Sequence, residues 1–453
     1  MVDRGNKMYR VLRNALVAMS LLPGVAFADA TQEQISQLGG VRTATGSEKA
    51  GSADGSVPAW TGLNVTTTMG RQFTDPFASE TPLMRIDRGN LDQHRDKLSV
   101  GQIAMIERYP DFFINVYPTH RIYELPPKVK DHVRAEAGGI NLVGGGQGIT
   151  GLNLSPVAFP FPENGVEALW NHLTRYRSAA FERTYIQAPV QTNGAYTLQR
   201  LRDTTIFRPR LVGKDGNENM LLKFMQEILA PARLEGTILL VHDHIDQLKD
   251  PRAAWIYNAG QRRVRRAPNI AYDGPGTAAE GMRTVDDFDL FNGSPDKYDW
   301  KLIGRSEMYV PSNSFGLADP DLKYTDLIGK DHLNQEYPRY ELRRVWIVDG
   351  TLRDGERHIY GRRTYYLDED SWFIVLGDLY DNRGELWRVR EGHAALESET
   401  RVLIPVGEPV YDLQANRYLA LSFLSEENPQ FDFDVELTDR DFTPGALRRA
   451  GRK

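Results

Sequence analysis

Residues 340–393 read YELRRVWIVDGTLRDGERHIYGRRTYYLDEDSWFIVLGDLYDNRGELWRVREGH. Turn chemistry interrupts this stretch three times, at Arg353-Asp354-Gly355-Glu356, at Asp368-Glu369-Asp370 and at Asp381-Asn382-Arg383-Gly384. Asp, Asn and Gly tolerate the backbone geometry that tight hairpin turns need. Between the turns stand Val, Ile, Trp, Tyr, Phe and Thr, which fit a pleated surface. The stretch therefore predicts four strands in an antiparallel meander. In the third arm Trp372, Ile374 and Leu376 point one way, and Phe373, Val375 and Leu379 the other. In the first, Leu342, Trp346 and Val348 oppose Val345 and Ile347. Both faces are apolar, whereas an antiparallel sheet commonly leaves one face wet. Something must cover the second face: helices, loops, another sheet or a hydrophobic ligand. A curved sheet with a helical lid over an apolar cavity satisfies the pattern.

Outward from the meander the chain continues as strand. Residues 195–212, 219–228, 234–244, 301–310, 402–413, 418–424 and 431–437 have β composition, and 253–266 reads as a hairpin turning at Ala259-Gly260. That makes roughly ten to thirteen strands with no βαβ rhythm. Helical spacing is confined to Gln32–Leu38, to a segment ending at Tyr109 before Pro110, and to Gly165–Tyr176. The expected fold is mainly β with some α: a strongly curved antiparallel sheet, an incomplete barrel, with helices and long loops covering an apolar cavity. Residues 29–453 are expected as one large β-rich domain. Its 29–180 part is extended and helical with a lid-like loop, and its 181–453 part is the sheet with a long insertion at about 267–338.

The first 28 residues read as a cleaved export signal. Arg4, Lys7, Arg10 and Arg13 precede an apolar run from Ala15 to Phe27, and Ala26-Phe27-Ala28 is an A-x-A cleavage site. The run is shorter than the ~20 residues of a spanning helix, so no permanent anchor is expected. Met8 is a second candidate start. Removing four basic residues and one acidic residue takes the formal charge from −6 to −9, which argues against nucleic acid. With no cysteine in 453 residues, stability in an oxidising compartment must come from a buried core.

Few motifs carry chemistry. Gly146, Gly148 and Gly151 form a G-x-G-x-x-G, but Pro156, Pro160 and Pro162 follow where a dinucleotide site needs a helix. A flexible loop is the expectation, and no cofactor. His242 and His244 share a strand face, as metal ligands can, yet no third ligand stands out. The acid runs Asp286-Asp287-Phe288-Asp289 and Asp368-Glu369-Asp370 lack EF-hand spacing and are expected as surface turns. Without Cys or G-x-S-x-G, no catalytic residue is assigned and no enzyme is expected. Arg262-Arg263-Val264-Arg265-Arg266 reads as a solvated strand face or a grip for an anionic head group. Arg343, Arg344, Arg362, Arg363, Arg388 and Arg390 lie among aromatics, as a surface ladder or a binding site.

The segments GSADGSVPAWTG, YPTHR, WNHLTRYR, QRRVRRAPNIAYDGPG, FNGSPDKYDWKLIG, HLNQEYPRYELRRVWIVDGTLRDGERHIYGRRTYYLDEDSW and LWRV resemble a family of exported Gram-negative proteins. It is known as domain of unknown function 1329 and described as outer-membrane lipoprotein-sorting-like. The resemblance implies a fold similar to the Lol lipoprotein carriers, a curved sheet closed by helices around an apolar cavity. It also implies an outer-membrane protein and a resistance-nodulation-division exporter as partners, and supplies no catalytic residues. The expectation is thus a periplasmic carrier for a lipid or other hydrophobic cargo, serving transport between the two membranes. The alternative is a non-enzymatic assembly factor binding an outer-membrane protein or exporter. The candidate cargo-binding aromatics are Trp255, Tyr257, Trp346, Tyr366, Trp372 and Trp387, with Arg263, Arg265 and Arg363 as rim cations.

Overall fold

A computed structural model describes residues 30–69, 73–214, 216–267 and 272–451. The expected export signal, residues 1–28, lies outside the described residues. Strand outweighs helix by 34% to 17%, which sets the class as mainly β. Among the described residues sixteen strands form one sheet. Its continuous path uses β1 (Ala180–Val190), β2 (Gln199–Phe207), β3 (Met220–Ala230), β4 (Ile238–His244), β5 (Ala253–Asn258) and β6 (Arg263–Arg266). Strand β7 (Tyr298–Pro311) lies off that path and pairs with β8 (Tyr340–Leu352), from which the path runs through β9 (Arg362–Asp368), β10 (Ile374–Tyr380), β11 (Leu386–Glu391), β12 (Val410–Asp412) and β13 (Arg417–Phe423).

The path has a simple order. Strands β7 to β13 lie side by side in sequence, β13 pairs with β1, and β1 to β6 continue to the far edge. Every pairing along it is antiparallel; the parallel exception is the short strand Ile114–Tyr117 against β8. The sheet is curved and mixed, and it does not close into a barrel. The four-strand meander appears as β8 to β11, with turns at the three acidic positions.

Both faces of the meander are buried, and protein covers both. On the outer face lies helix α1 (Val100–Arg108), whose N-cap Ser99 forms a capping box with Gln102. Its Gly101 sits so close to the sheet that a Cβ would stand 2.3 Å from Asp378 Oδ1. The Gly101 N–H and the Ser99 hydroxyl donate to that carboxylate at 3.1 Å each. On the inner face lies helix α2 (Gly165–Thr174), capped by Asn164 and wholly buried at Trp170. His172 of α2 meets the Asp289 carbonyl at 2.9 Å, which ties the helix to the insertion.

The insertion is packed, not looped out. Asp286, Asp287 and Asp289 were expected at a surface turn but are buried. Asp286 pairs with Arg363 at 2.7 Å, Asp287 with Arg390 at 3.4 Å, and Asp289 with both Arg175 and Arg177. The run Asp368-Glu369-Asp370 departs from expectation in the same way. It is buried, with Asp368 on Arg343, Glu369 on Arg305 and Asp370 on Arg121. The physical reason is that a buried guanidinium demands a carboxylate. The meander's arginines supply that demand, so most of them form internal ion pairs and not a surface ladder.

Candidate functional site

Over β1 to β5 the cover on the inner face is incomplete. Cross-strand partners there line up in rows. One row runs Arg183, Asp203, Gln226, Leu239, Ile256. The next runs Phe181, Thr205, Phe224, Val241. These rows floor a cavity of about 320 Å³. Its walls come from the end of α2 (Leu173, Arg175, Arg177), from the insertion (Val285, Phe288, Asp289) and from Val402–Pro405. A second cavity of about 320 Å³ adjoins it, and Arg175, Arg177, Phe207 and Leu221 line both. The size suits a small-molecule site, and so does an apolar lining broken by a few placed polar groups.

The charged groups of the cavity are mostly matched. Arg183 meets Asp203 at 2.9 Å and Arg252 meets Asp243 at 2.6 Å. Burial alone would raise the Asp289 pKa, but the guanidiniums of Arg175 and Arg177 more than offset it and bring it down to about 2. Arg177 is itself pushed down to about 10, first by burial and then by the neighbouring Arg175. Four buried polar atoms on lining residues have no partner among the described residues: Arg177 Nε, Thr205 Oγ1, Arg283 Nε and Asn292 Oδ1. Unsatisfied buried groups are uncommon, and a ligand or an ordered water is one way to complete them.

The span that builds this cavity is also the span that a family model matches: "Protein of unknown function (DUF1329)" fits residues 85–448. The chain belongs to the DUF1329 family. It is similar to "Uncharacterized protein PA3922" of Pseudomonas aeruginosa, at 47% identity over 448 residues, covering 97% of this chain and 98% of that one. Among solved structures, a putative outer membrane lipoprotein-sorting protein domain from Vibrio parahaemolyticus is 14% identical with a TM-score of 0.43. That comparison covers 63% of this chain and 98% of the other. A DUF1329 protein from Desulfovibrio piger gives 14% and 0.40, covering 60% and 92%.

None of the nine candidate residues of this DUF1329 protein lines the cavity. Trp255 and Tyr257 flank Ile256, so the two-residue repeat of a strand sends them to the opposite face. There they pack with helix α3 (Pro444–Ala450), Trp255 edge-on to His242 at 4.9 Å and Tyr257 fully buried. Trp346 and Trp372 come together as a stacked pair at 6.1 Å, and Trp372 Nε1 donates to the Thr45 carbonyl at 2.9 Å. The Tyr366 hydroxyl donates to Asp378 at 3.0 Å beneath α1, and Trp387 Nε1 to Asp412 at 3.0 Å. Arg363 lies in the core, not at a rim: it is fully buried against Asp286 and over the Tyr298 ring at 4.6 Å. Arg263 and Arg265 are exposed on edge strand β6, and Arg265 stands directly across from the cavity residue Ile256.

Sequence reading passed over Phe224, Leu239, Val241 and Ile256, and over Arg177 and Arg283. Ile256 carried no local signal: its 36% exposure, on a strand paired with the RRVRR arm, is a property of the fold. His242 Nε2 donates to the Phe442 carbonyl at 2.7 Å. Among the described residues no cluster of three His, Cys, Asp or Glu side chains is placed to hold a metal. Gly144 to Gly146 bridge a small hairpin, Asn141–Val143 with Gly148–Thr150, and the Gly146 carbonyl accepts from Trp170 Nε1 at 2.9 Å.

Proposed function

We propose that this protein is a periplasmic binding protein for a lipid or other amphiphile, carrying it between the inner and outer membranes. The observation that supports the reading is the apolar cavity of about 320 Å³ on the inner face of the sheet. Its floor carries Phe181, Phe224, Leu239, Val241 and Ile256, and most of its charged groups are paired with one another. Moving an alkyl chain from water into such a lining gains about 25 cal/mol per Å² of apolar area removed from water. The location rests on the export pattern of residues 1–28. No helix among the described residues is long and apolar enough to cross a membrane. The link to an exporter rests on the family resemblance alone.

The test is binding by the delipidated, full mature chain. A fluorescent fatty-acid analogue should bind saturably and be displaced by molecules extracted from the native protein. Val241→Trp should fill the cavity floor and weaken that binding about tenfold or more, with circular dichroism and melting midpoint retained. Absence of probe binding, together with a protein partner recovered in stoichiometric amount by cross-linking, would replace the carrier by an assembly factor.

A further inference from the structure

Five arginines and three aspartates line the cavity, and their pairing leaves one cation over. Asp289 serves Arg175 and Arg177, Asp203 serves Arg183, and Asp243 serves Arg252. Among the described residues Arg283 has no carboxylate at ion-pair distance; Asp287 and Glu408 act on it only from further off. It is 3% exposed, its Nη1 donates to the Thr284 carbonyl at 3.3 Å, and its Nε–H has no acceptor among those residues. The ring of Phe288 stands 5.3 Å from its guanidinium. Backbone crowding limits where the side chain can go: a Cβ on Gly276 would lie 2.6 Å from Arg283 Nη1. Arg177, just past the end of α2, adds a second orphan Nε–H among the described residues.

A buried cation with no carboxylate in direct contact is costly, so a fold that keeps one gains from an anion that arrives to meet it. A guanidinium fork matches the two oxygens of a carboxylate or phosphate bidentately, which an ammonium cannot do. We propose that the cargo is an anionic amphiphile whose oxyanion head is held by Arg283, with its alkyl chain along Phe224, Leu239 and Val241. This deepens the binding reading above and rests on it. A neutral head of equal chain length leaves Arg283 unmatched and gains only the apolar term.

The experiment is isothermal titration of the delipidated mature chain, below micelle-forming concentration, with decanoate, decyl phosphate and 1-decanol. Wild type is expected to bind at least one of the two anions about tenfold or more tighter than the alcohol, and the two anionic arms tell carboxylate from phosphate. Arg283→Gln should bring anion and alcohol to within about twofold while alcohol affinity stays put, and Arg283→Lys should keep part of the preference. Equal affinity for anion and alcohol in the wild type overturns the inference and leaves the carrier reading intact, and it needs no variant. Retained anion preference in a folded Arg283→Gln protein overturns it as well. If no ligand of the three binds, the carrier reading falls and this inference with it.

Discussion

Two titratable side chains of the sheet, one buried and one half-buried, set opposite slopes on stability against pH. Asp378 is pushed up to about 6 by burial, against the hydrogen bonds from Tyr366, Gly101 and Ser99 that favour its ionised form. Its folded pKa exceeds the unfolded value of about 3.9, so the folded protein holds a proton that the unfolded chain releases. The stability it contributes is full below pH 4 and is lost as pH rises to about 6, on the order of 3 kcal/mol. Asp378→Asn cannot titrate, so its stability relative to wild type should climb between pH 4 and 6 and level off above, in denaturant titrations at each pH. His242 acts in the other direction. Burial brings it down to about 4, so its contribution is full above the unfolded pKa of about 6.5 and is lost as pH falls through 4. His242→Gln should flatten that acid limb by about 2 kcal/mol, less than the full shift because the ring is part-exposed. An unchanged acid limb would show that the ring is not the group responsible.

At the scale of the element, the strands are where pattern reading succeeded and where it misled. The turns of the meander were legible because Asp-Gly and Asn-Arg-Gly have one economical use, a tight reversal. Helix α1 was legible from Ile103 and Ile106, but its capping box needed Ser99 and Gln102 to be read as a pair. The cavity was not legible. Alternation along β5 says that Trp255 and Ile256 face apart, and nothing local says which face keeps a void. That depends on how far the insertion and α2 reach across the sheet. One close approach in this layer carries its own prediction. Trp300 lies flat on Gly350, where a Cβ would come within 2.3 Å of the indole. Gly350→Val should destabilise by about 2 kcal/mol or more in urea unfolding, and Trp300→Leu in the same chain should recover part of it. If the double variant is as unstable as the sum of the singles, the indole is not what forbids the side chain.

Across the whole molecule, buried ion pairs join segments far apart in sequence. The acid run of 286–289 holds Arg363 and Arg390 from the meander and Arg175 and Arg177 from the end of α2. Acid runs resemble surface turns when read alone, because the chain gives no hint of a partner about 75 or 100 positions away. Asp286→Asn leaves Arg363 buried without its carboxylate and should cost about 3–5 kcal/mol. Replacing both, as Asp286→Leu with Arg363→Met, should restore most of that, since a well-packed apolar pair is often neutral. Equilibrium unfolding of the three variants checks this, and a double variant no better than the single would place the stability in the charges themselves.

The seam between β13 and β1 sets a schedule. Tyr418 is the partner of Val190, so β1 keeps a bare edge until almost the entire chain has been made. At 5–20 residues per second, that interval is on the order of ten seconds to a minute. A half-made chain thus presents an unfinished hydrogen-bonding template for long enough to meet another like it.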